Sequence, residues 1–579
     1  MVKVAAKQAL WGKLNRMNES TLSAENGPFS KAWHWAELRP RLAIVLVCLM
    51  ALLPGFFVIP PVDRDESRYA QASRQMLETS DFIEIRFQDE ARNKKPAGIY
   101  WMQVASASLL GGSAEAPIWA YRIPSLLGAI GAALATFWVG ARLFDRRIAL
   151  LGAVLLGTCL SATFEGHIAK TDAMLLYTVV LAQGVMAHAY LSARRGEAAP
   201  GWGLTTLFWV AQGVGLLIKG PITPMVSVLT FAALAIADRD IKWGARLRPL
   251  TGVLIAAAIA LPWLIAIWVA TDGAFFAEAV GGDMVGKIGS GQERHWGPPG
   301  YHLALLSVFF WPASFLVWPA LRHTWATRAS DAVRFCIAWI VPTWILFEIT
   351  STKLPHYVLP TYPALALLVA VFVFSERSND FGIWRKAGLV IWVLIALLVA
   401  AAAVILPAHY GTGIHWLHLP LALLIAVAAL RVGWSAWKGV RLRTQLGAIV
   451  VGMVAMATAF QLTLPALTDL ALSPRLAAAV ERNMGPSAPP TASSGYSEPS
   501  LVFLLGTDTV LGAPETAADH LAAMPGAVAL VTGEHQDRFL ARATELGLTI
   551  EAREVIEGFN YSGGDPLTIT VYRAPEVSE

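Results

Sequence analysis

The chain has 579 residues, of which 55% are hydrophobic and only 15% charged, too little polar surface to close around one water-soluble core. A formal charge of +4 is small for that length and gives no ground for a nucleic-acid partner. The chain reads as a membrane protein, and its three cysteines, Cys48, Cys159 and Cys336, fall inside apolar runs as packing residues, with no disulfide or thiolate metal spacing.

Residues 1–41 form a hydrophilic lead, read as a cytoplasmic N-terminal segment. Beyond it, a bilayer core roughly 30 Å thick demands about 20 apolar residues per helix, and about thirteen stretches meet or nearly meet that length. They lie near 42–60, 120–141, 148–165, 172–192, 203–219, 221–237, 249–270, 301–320, 333–350, 356–374, 387–406, 416–434 and 446–465. The first follows a long polar lead and lacks a small-residue cleavage pattern, so it is read as a retained span. The expected fold is mainly α, a polytopic transmembrane bundle of about 13 spans over 42–472.

Lys and Arg beside a span resist translocation, which sets the orientation. The lead carries Lys3, Lys7, Lys13, Arg16, Lys31, Arg39 and Arg41, and every second loop after it is basic, from Arg142/Arg146/Arg147 to Lys438/Arg441/Arg443. These are expected in the cytoplasm. The long loops at 61–119 and 271–300 then lie on the outer face with the C-terminus.

The first outer loop is the densest in charge. Asp63, Asp65 and Glu66 alternate with Arg64 and Arg68 ahead of Tyr69. A helical stretch to Glu78 follows, then Ser80-Asp81-Phe82, the cationic run Arg92 to Lys95, and an apolar piece from Ile99 to about Gly111 that is too short to span and suits the interface. Alone, this loop reads as a salt-bridged connector. Other outer-face groups accompany it: Lys170-Thr171-Asp172, Lys219-Gly220-Pro221, Arg294-His295 and Lys353-Leu354-Pro355-His356-Tyr357. Charges converging at one leaflet point to a polar cavity, because each would otherwise be costly at membrane depth.

Residues 473–579 change character. A Pro/Ser/Ala linker, Gly485 to Ser494, leads into a periplasmic α/β domain with strands expected at Leu501–Leu505, Ala527–Val531, Ile550–Val555 and Leu567–Tyr572 and helices at Ala517–Met524 and Asp537–Leu546. It carries no nucleophile elbow, phosphate loop or metal spacing, and reads as a scaffold or partner contact.

Carboxylates beside Lys and Arg suit displacement at a carbon that bears a phosphate leaving group. A carboxylate accepts the acceptor's proton while cations stabilise charge growing on the phosphate. Outside the cell there is no nucleotide sugar, so the donor that meets the bundle from the side is a membrane-dissolved polyprenyl-phosphate sugar.

Asp65-Glu-Ser-Arg-Tyr69, Arg74-Gln-Met-Leu77, Ser80-Asp81-Phe82, Lys95-Pro96 and Tyr100-Trp101 resemble, in order and spacing, the signature of the aminoarabinose transferase family. Its members are bacterial polyprenyl-phosphate-dependent glycosyltransferases of GT-C architecture, related to protein O-mannosyltransferases. Thr171-Asp172, Lys219-Gly220 and Lys353-Leu-Pro-His-Tyr357 with Pro360 extend the likeness, and His295 with Gly297-Pro298 is similar to the family's H-x-x-P loop. The resemblance implies inverting transfer of one sugar from an undecaprenyl-type phosphate to an outer-leaflet acceptor, often lipid A or another lipopolysaccharide component, in the bacterial inner membrane. It carries a runner-up, a protein O-mannosyltransferase-like enzyme acting on protein.

Carried over by position, Asp65 is the principal catalytic carboxylate, with Asp172 and Glu66 as further acidic groups. Arg68, Tyr69, Lys95, Lys219, Arg294 and Tyr357 hold the donor phosphate, and Lys94, His295 and Lys353 line the cavity. Lys94 stands where the family has Glu, which favours an acidic or neutral sugar over an amino sugar. Ser80 and Phe82 replace Gly and Trp. His295 and Glu66 lack ligand spacing, so no metal or other cofactor is expected. A lipid-linked sugar transporter or flippase is the reading from another class, but transporters set charges near the midplane of repeated halves. Here they gather at one interface and no halves repeat.

Overall fold

Each apolar stretch carries helix in the computed structural model, which describes residues 28–112, 114–285, 297–375, 382–439, 442–484 and 489–574. Helices α1 (Pro28–Leu38) and α2 (Pro40–Leu52) lead to α3 (Asp65–Thr79), the hairpin β1 (Arg86–Phe87) and β2 (Glu90–Ala91), and α4 (Gly98–Ser106). The bundle continues through α5 (Ile118–Leu143), α6 (Arg146–Gly157), α7 (Leu160–Gly166), α8 (Asp172–Arg195), α9 (Trp202–Lys219), α10 (Ile222–Asp238) and α11 (Pro249–Ala270). It closes with α12 (Tyr301–Phe309), α13 (Val317–Ala326), α14 (Asp331–Ile349), α15 (Tyr362–Val373), α16 (Gly382–Tyr410), α17 (His418–Lys438) and α18 (Leu442–Ala457).

Among the described residues, eight helical segments are long and apolar enough to cross a bilayer, or nine if the pair α6 and α7, bent by 59°, is one span. The chain is a multi-pass membrane protein. The other stretches depart from a full span for local reasons. Helix α2 has 13 residues and stops at Leu53-Pro54. Helix α9 has 18, carries the polar Gln212 and ends on Lys219, and α10 has 17. The stretch at 301–320 is broken between α12 and α13 around Trp311-Pro312, since proline cannot complete the helical hydrogen-bond ladder.

Two close approaches set the geometry where α8 begins and α9 ends. A Cβ on Gly128 of α5 would lie 2.7 Å from the Ala173 carbonyl carbon, at the start of α8. A Cβ on Gly98 of α4 would lie 2.7 Å from the Leu217 carbonyl oxygen, at the end of α9. Only glycine lets these backbones meet, so the beginning of α8 is held against α5 and the end of α9 against α4.

The C-terminal part opens with α19 (Leu472–Asn483) and adds β3 (Ala492–Ser494), α20 (Pro499–Leu505), β4 (Val510–Gly512), α21 (Pro514–Ala523), β5 (Val528–Thr532), α22 (Gln536–Glu545), β6 (Glu551–Asn560) and β7 (Asp565–Arg573). The sheet order is β4-β3-β5-β7-β6. Strands β3, β4 and β5 run parallel, β7 is antiparallel to β5 and β6, and β6 carries an irregularity between Ala552 and Glu554.

Two sequence expectations are corrected here. Leu501–Leu505 is helical, because Pro499 presets the first turn and the helix lays Phe503 edge-on against Tyr121 of α5. The end of the supposed linker, Ala492–Ser494, is a fully buried strand at the heart of the sheet. Its small side chains give no apolar alternation to betray it.

Candidate active site

Helices α8 and α9 are antiparallel neighbours, so the first residue of one meets the last of the other. Asp172 opens α8 and Lys219 closes α9, each at the helix end its charge favours. Lys219 Nζ donates to Asp172 Oδ1 at 2.5 Å. Lys170 Nζ stands 3.6 Å from Asp172 Oδ2 and 3.6 Å from Glu165 Oε2 of α7. His356, in the turn Pro355–Thr361, places Nε2 3.7 Å from Asp172 Oδ1 and Nδ1 3.4 Å from Glu165 Oε1. The Lys219 ammonium lies 5.8 Å over the ring of Tyr357, within cation–π range. Burial alone would lower the Lys170 ammonium, but the carboxylates of Glu165, Asp172 and Asp65 outweigh it and hold the group charged.

Within electrostatic reach of this cluster lies an aromatic group. Tyr69 of α3 stacks on Tyr100 of α4 with centroids 5.2 Å apart. The Arg92 guanidinium sits 5.1 Å over the Tyr69 ring and donates from Nε to the Tyr100 hydroxyl at 3.3 Å. Burial pushes the Tyr69 phenol well above its usual range, and Asp65 and Asp172 are both near enough to add to the effect. Tyr69 therefore stays a neutral hydroxyl between the two carboxylates. Asp65 is exposed, Arg68 is half-buried, and neither side chain has a hydrogen bond or ion pair among the described residues.

Glu66 has a different place from the one expected. Its carboxylate is fully buried against Arg122 of α5, with Nε–Oε1 and Nη2–Oε2 both 2.8 Å. It also accepts from the Ala169 and Val62 backbone amides at 2.8 and 2.9 Å. Arg122 in turn donates to the carbonyls of Phe56, Ile59 and Pro60. Every polar direction of Glu66 is committed, so its catalytic assignment is corrected: it pins α3 to α5 and to the loop that carries Lys170.

The remaining positions fall nearby or outside the described residues. Lys353 is buried and donates to the carbonyls of Gly297 at 2.8 Å and Thr350 at 2.9 Å. It borders a cleft of about 430 Å³ with Pro299, Ile345, Glu348 and Ser351. Lys94 is exposed, and Lys95 is half-buried with Nζ 3.1 Å from the Lys94 carbonyl. Arg294 and His295 lie outside the described residues. Among those described, no group of three or more His, Cys, Asp or Glu side chains is placed to hold a metal ion. Glu165 and Arg122 were missed by sequence reasoning, although each is an ionisable residue inside an apolar stretch, the signal that marks such positions.

The C-terminal domain grips α3 along its length. The Ser500 hydroxyl donates to Asp63, and the Tyr561 hydroxyl accepts from the Asp63 amide at 2.7 Å. Arg64 reaches the Ser562 carbonyl at 2.5 Å, Gln71 the Thr507 hydroxyl at 2.7 Å and Arg74 the Phe503 carbonyl at 2.9 Å. Burial pushes the Asp63 carboxyl up to about 6, against the pull of the Ser500 and Tyr561 hydrogen bonds.

Comparison with known proteins agrees with this architecture. Residues 35–272 match the family model of dolichyl-phosphate-mannose-protein mannosyltransferases. An undecaprenyl phosphate-alpha-4-amino-4-deoxy-L-arabinose arabinosyl transferase of Pectobacterium carotovorum is 29% identical over 419 residues, 70% of this chain and 72% of the relative. The protein of the same name from Pseudomonas paraeruginosa is 28% identical over 368 residues, 61% of this chain and 64% of the relative. The crystal structure of ArnT from Cupriavidus metallidurans in the apo state has a TM-score of 0.70 at 20% identity, covering 94% of this chain and 98% of that one. The same protein bound to undecaprenyl phosphate has a TM-score of 0.69 at 19% identity, covering 93% and 98%. The fold is that of the ArnT crystal structures.

Proposed function

We propose that this chain, an aminoarabinose transferase-like GT-C glycosyltransferase, moves a single sugar from an undecaprenyl-type polyprenyl phosphate to lipid A or another lipopolysaccharide component at the outer face of the bacterial inner membrane. The observation that carries the reading is the convergence of Lys170 and Asp172 at the start of α8, Lys219 at the end of α9 and Tyr357 of the turn Pro355–Thr361, near enough to Tyr69 and Asp65 of α3 to act on them electrostatically. The N-terminus is on the cytoplasmic side and the C-terminal domain in the periplasm, as the basic alternate loops favour.

The roles divide by how committed each side chain is. Asp65, exposed and unpaired, orients the acceptor hydroxyl and takes its proton. Arg68, also uncommitted, pairs with the donor phosphate together with Lys219, Lys95 and Arg294, while Tyr69 and Tyr357 offer neutral hydroxyls to its oxygens. Asp172 holds Lys219 in place. No metal enters this scheme, because cations fixed by carboxylates already stand where charge grows on the leaving phosphate.

Mass spectrometry of lipid A and core oligosaccharide from a deletion strain, with and without the plasmid-borne gene, tests the function. Loss and return of one sugar mass supports it and names the sugar. An unchanged lipopolysaccharide profile alongside an undersized glycoprotein would overturn the acceptor assignment.

A further inference from the structure

Glu165 of α7 is 1% exposed, yet neither carboxylate oxygen has a hydrogen-bond partner among the described residues. Such a group is costly to bury, and in a native structure it requires an explanation. Its nearest polar neighbours are Lys170 Nζ at 3.6 Å and His356 Nδ1 at 3.4 Å. The opposite ring nitrogen of His356 faces Asp172 at 3.7 Å. One imidazole stands between two carboxylates.

That placement restricts the protons the group can hold. A ring that meets two acids favourably through both nitrogens must either carry hydrogen on both, or carry it on one and face a protonated acid at the other; Asp172 already faces the ammonium groups of Lys219 and Lys170, so that acid is Glu165 at Nδ1. Ionised Glu165 with protonated His356, and protonated Glu165 with neutral His356, contain the same number of protons. They differ by the shift of one across 3.4 Å. The other charged or titratable groups around the couple are Lys170, Lys219 of α9, Tyr357, Asp65 of α3, and His302 of α12, whose Nδ1 lies 3.4 Å from Glu348 of α14.

We propose that Glu165 and His356 are positioning residues that share this proton behind Asp172, and that it passes from Glu165 to His356 as the donor phosphate departs. The inference rests on the glycosyltransferase reading above. In the transfer, the acceptor oxygen bonds to the anomeric carbon, the carbon–oxygen bond to phosphate breaks with its electron pair going to phosphate, and the hydroxyl proton goes to Asp65. A phosphodiester monoanion thereby becomes a monoester able to carry a second negative charge. Breaking the Glu165 O–H bond and forming the His356 N–H bond moves one unit of positive charge towards Asp172 and Lys219. No proton enters or leaves the couple, and the new anion is met by a charge already inside the protein.

The test uses the full chain in lipid nanodiscs with an undecaprenyl-phosphate sugar, following kcat and KM against pH. Glu165→Gln and His356→Gln are expected to lose about tenfold or more in kcat with donor KM within about threefold, and to lose the alkaline limb that reports the shared proton. Glu165→Asp is expected to keep that limb. A Glu165→Gln profile superimposable on wild type overturns the proposal, as does an equal loss at every pH in both Glu165 variants. Infrared difference spectra on adding undecaprenyl phosphate supply a readout without turnover. The protonated-carboxyl band is expected to fall in wild type and to show no change in Glu165→Gln; no change in wild type overturns the proposal. Failure of the wild-type chain to transfer any sugar would instead remove the glycosyltransferase reading, while the infrared result would still decide the couple.

Discussion

The hydroxyl of Ser500 donates to the carboxylate of Asp63 across 437 residues of chain, tying the C-terminal domain to the residue just ahead of the helix that bears Asp65, Arg68 and Tyr69. Because burial raises the Asp63 carboxyl from 3.8 to about 6, the docked state binds its proton more tightly than the undocked one. The stabilisation is complete below about pH 4 and is lost as pH rises through 6, a swing of about 3 kcal/mol. Asp63→Asn is therefore expected to remove this pH dependence and to stiffen docking at neutral pH. Limited proteolysis of the C-terminal domain between pH 4 and pH 8 checks it; a wild-type cleavage rate flat across that range would contradict it.

Asp65 and Glu66 are adjacent in sequence and opposite in role. Asp65→Asn is expected to cost at least about a hundredfold in kcat/KM with stability unchanged within about 0.5 kcal/mol. Glu66→Ala leaves Arg122 buried without its partner and is expected to cost about 3–5 kcal/mol of stability. Thermal unfolding in detergent beside a transfer assay separates the two. Equal stability losses would refute the division.

Lys94 occupies the position where the resembled family places Glu. Lys94→Glu is expected to shift donor preference by about tenfold towards a 4-amino sugar over a uronic acid, the direction set by charge complementarity. Competition between the two polyprenyl-phosphate donors is the measurement, and an unchanged product ratio is the contrary result.

Under the proposed scheme, in which Lys and Arg side chains meet the leaving phosphate, turnover is expected to be unaffected by EDTA. Activity that vanishes with chelator and returns with a divalent ion would show otherwise.

The membrane architecture was legible because the bilayer imposes a length and hydropathy that few sequences meet by accident. Asp172 and Lys219 could be read as lining one polar cavity because each flanks an apolar stretch on the side expected to be the outer one. Glu66 looked like Asp65 until Arg122 appeared opposite it. Arg122 and Glu165 sit within runs whose average polarity hid them, and only packing shows that one is saturated and the other unsatisfied. In the C-terminal domain, Ala492–Ser494 and Pro499–Leu505 misled for a shared reason. A short segment takes its conformation from what covers it, and the sheet and α3 supply that cover.

The ion pair of Asp172 and Lys219 also bears on how the molecule enters the bilayer. The two residues terminate consecutive antiparallel helices, 47 positions apart, so they meet only when both helices have inserted fully and in opposite senses. Incomplete insertion of either would leave its charge in hydrocarbon, several kcal/mol unfavourable, and inversion of either would leave the two charges on opposite faces. The contact between these two helix ends therefore forms only in the correctly threaded helical hairpin.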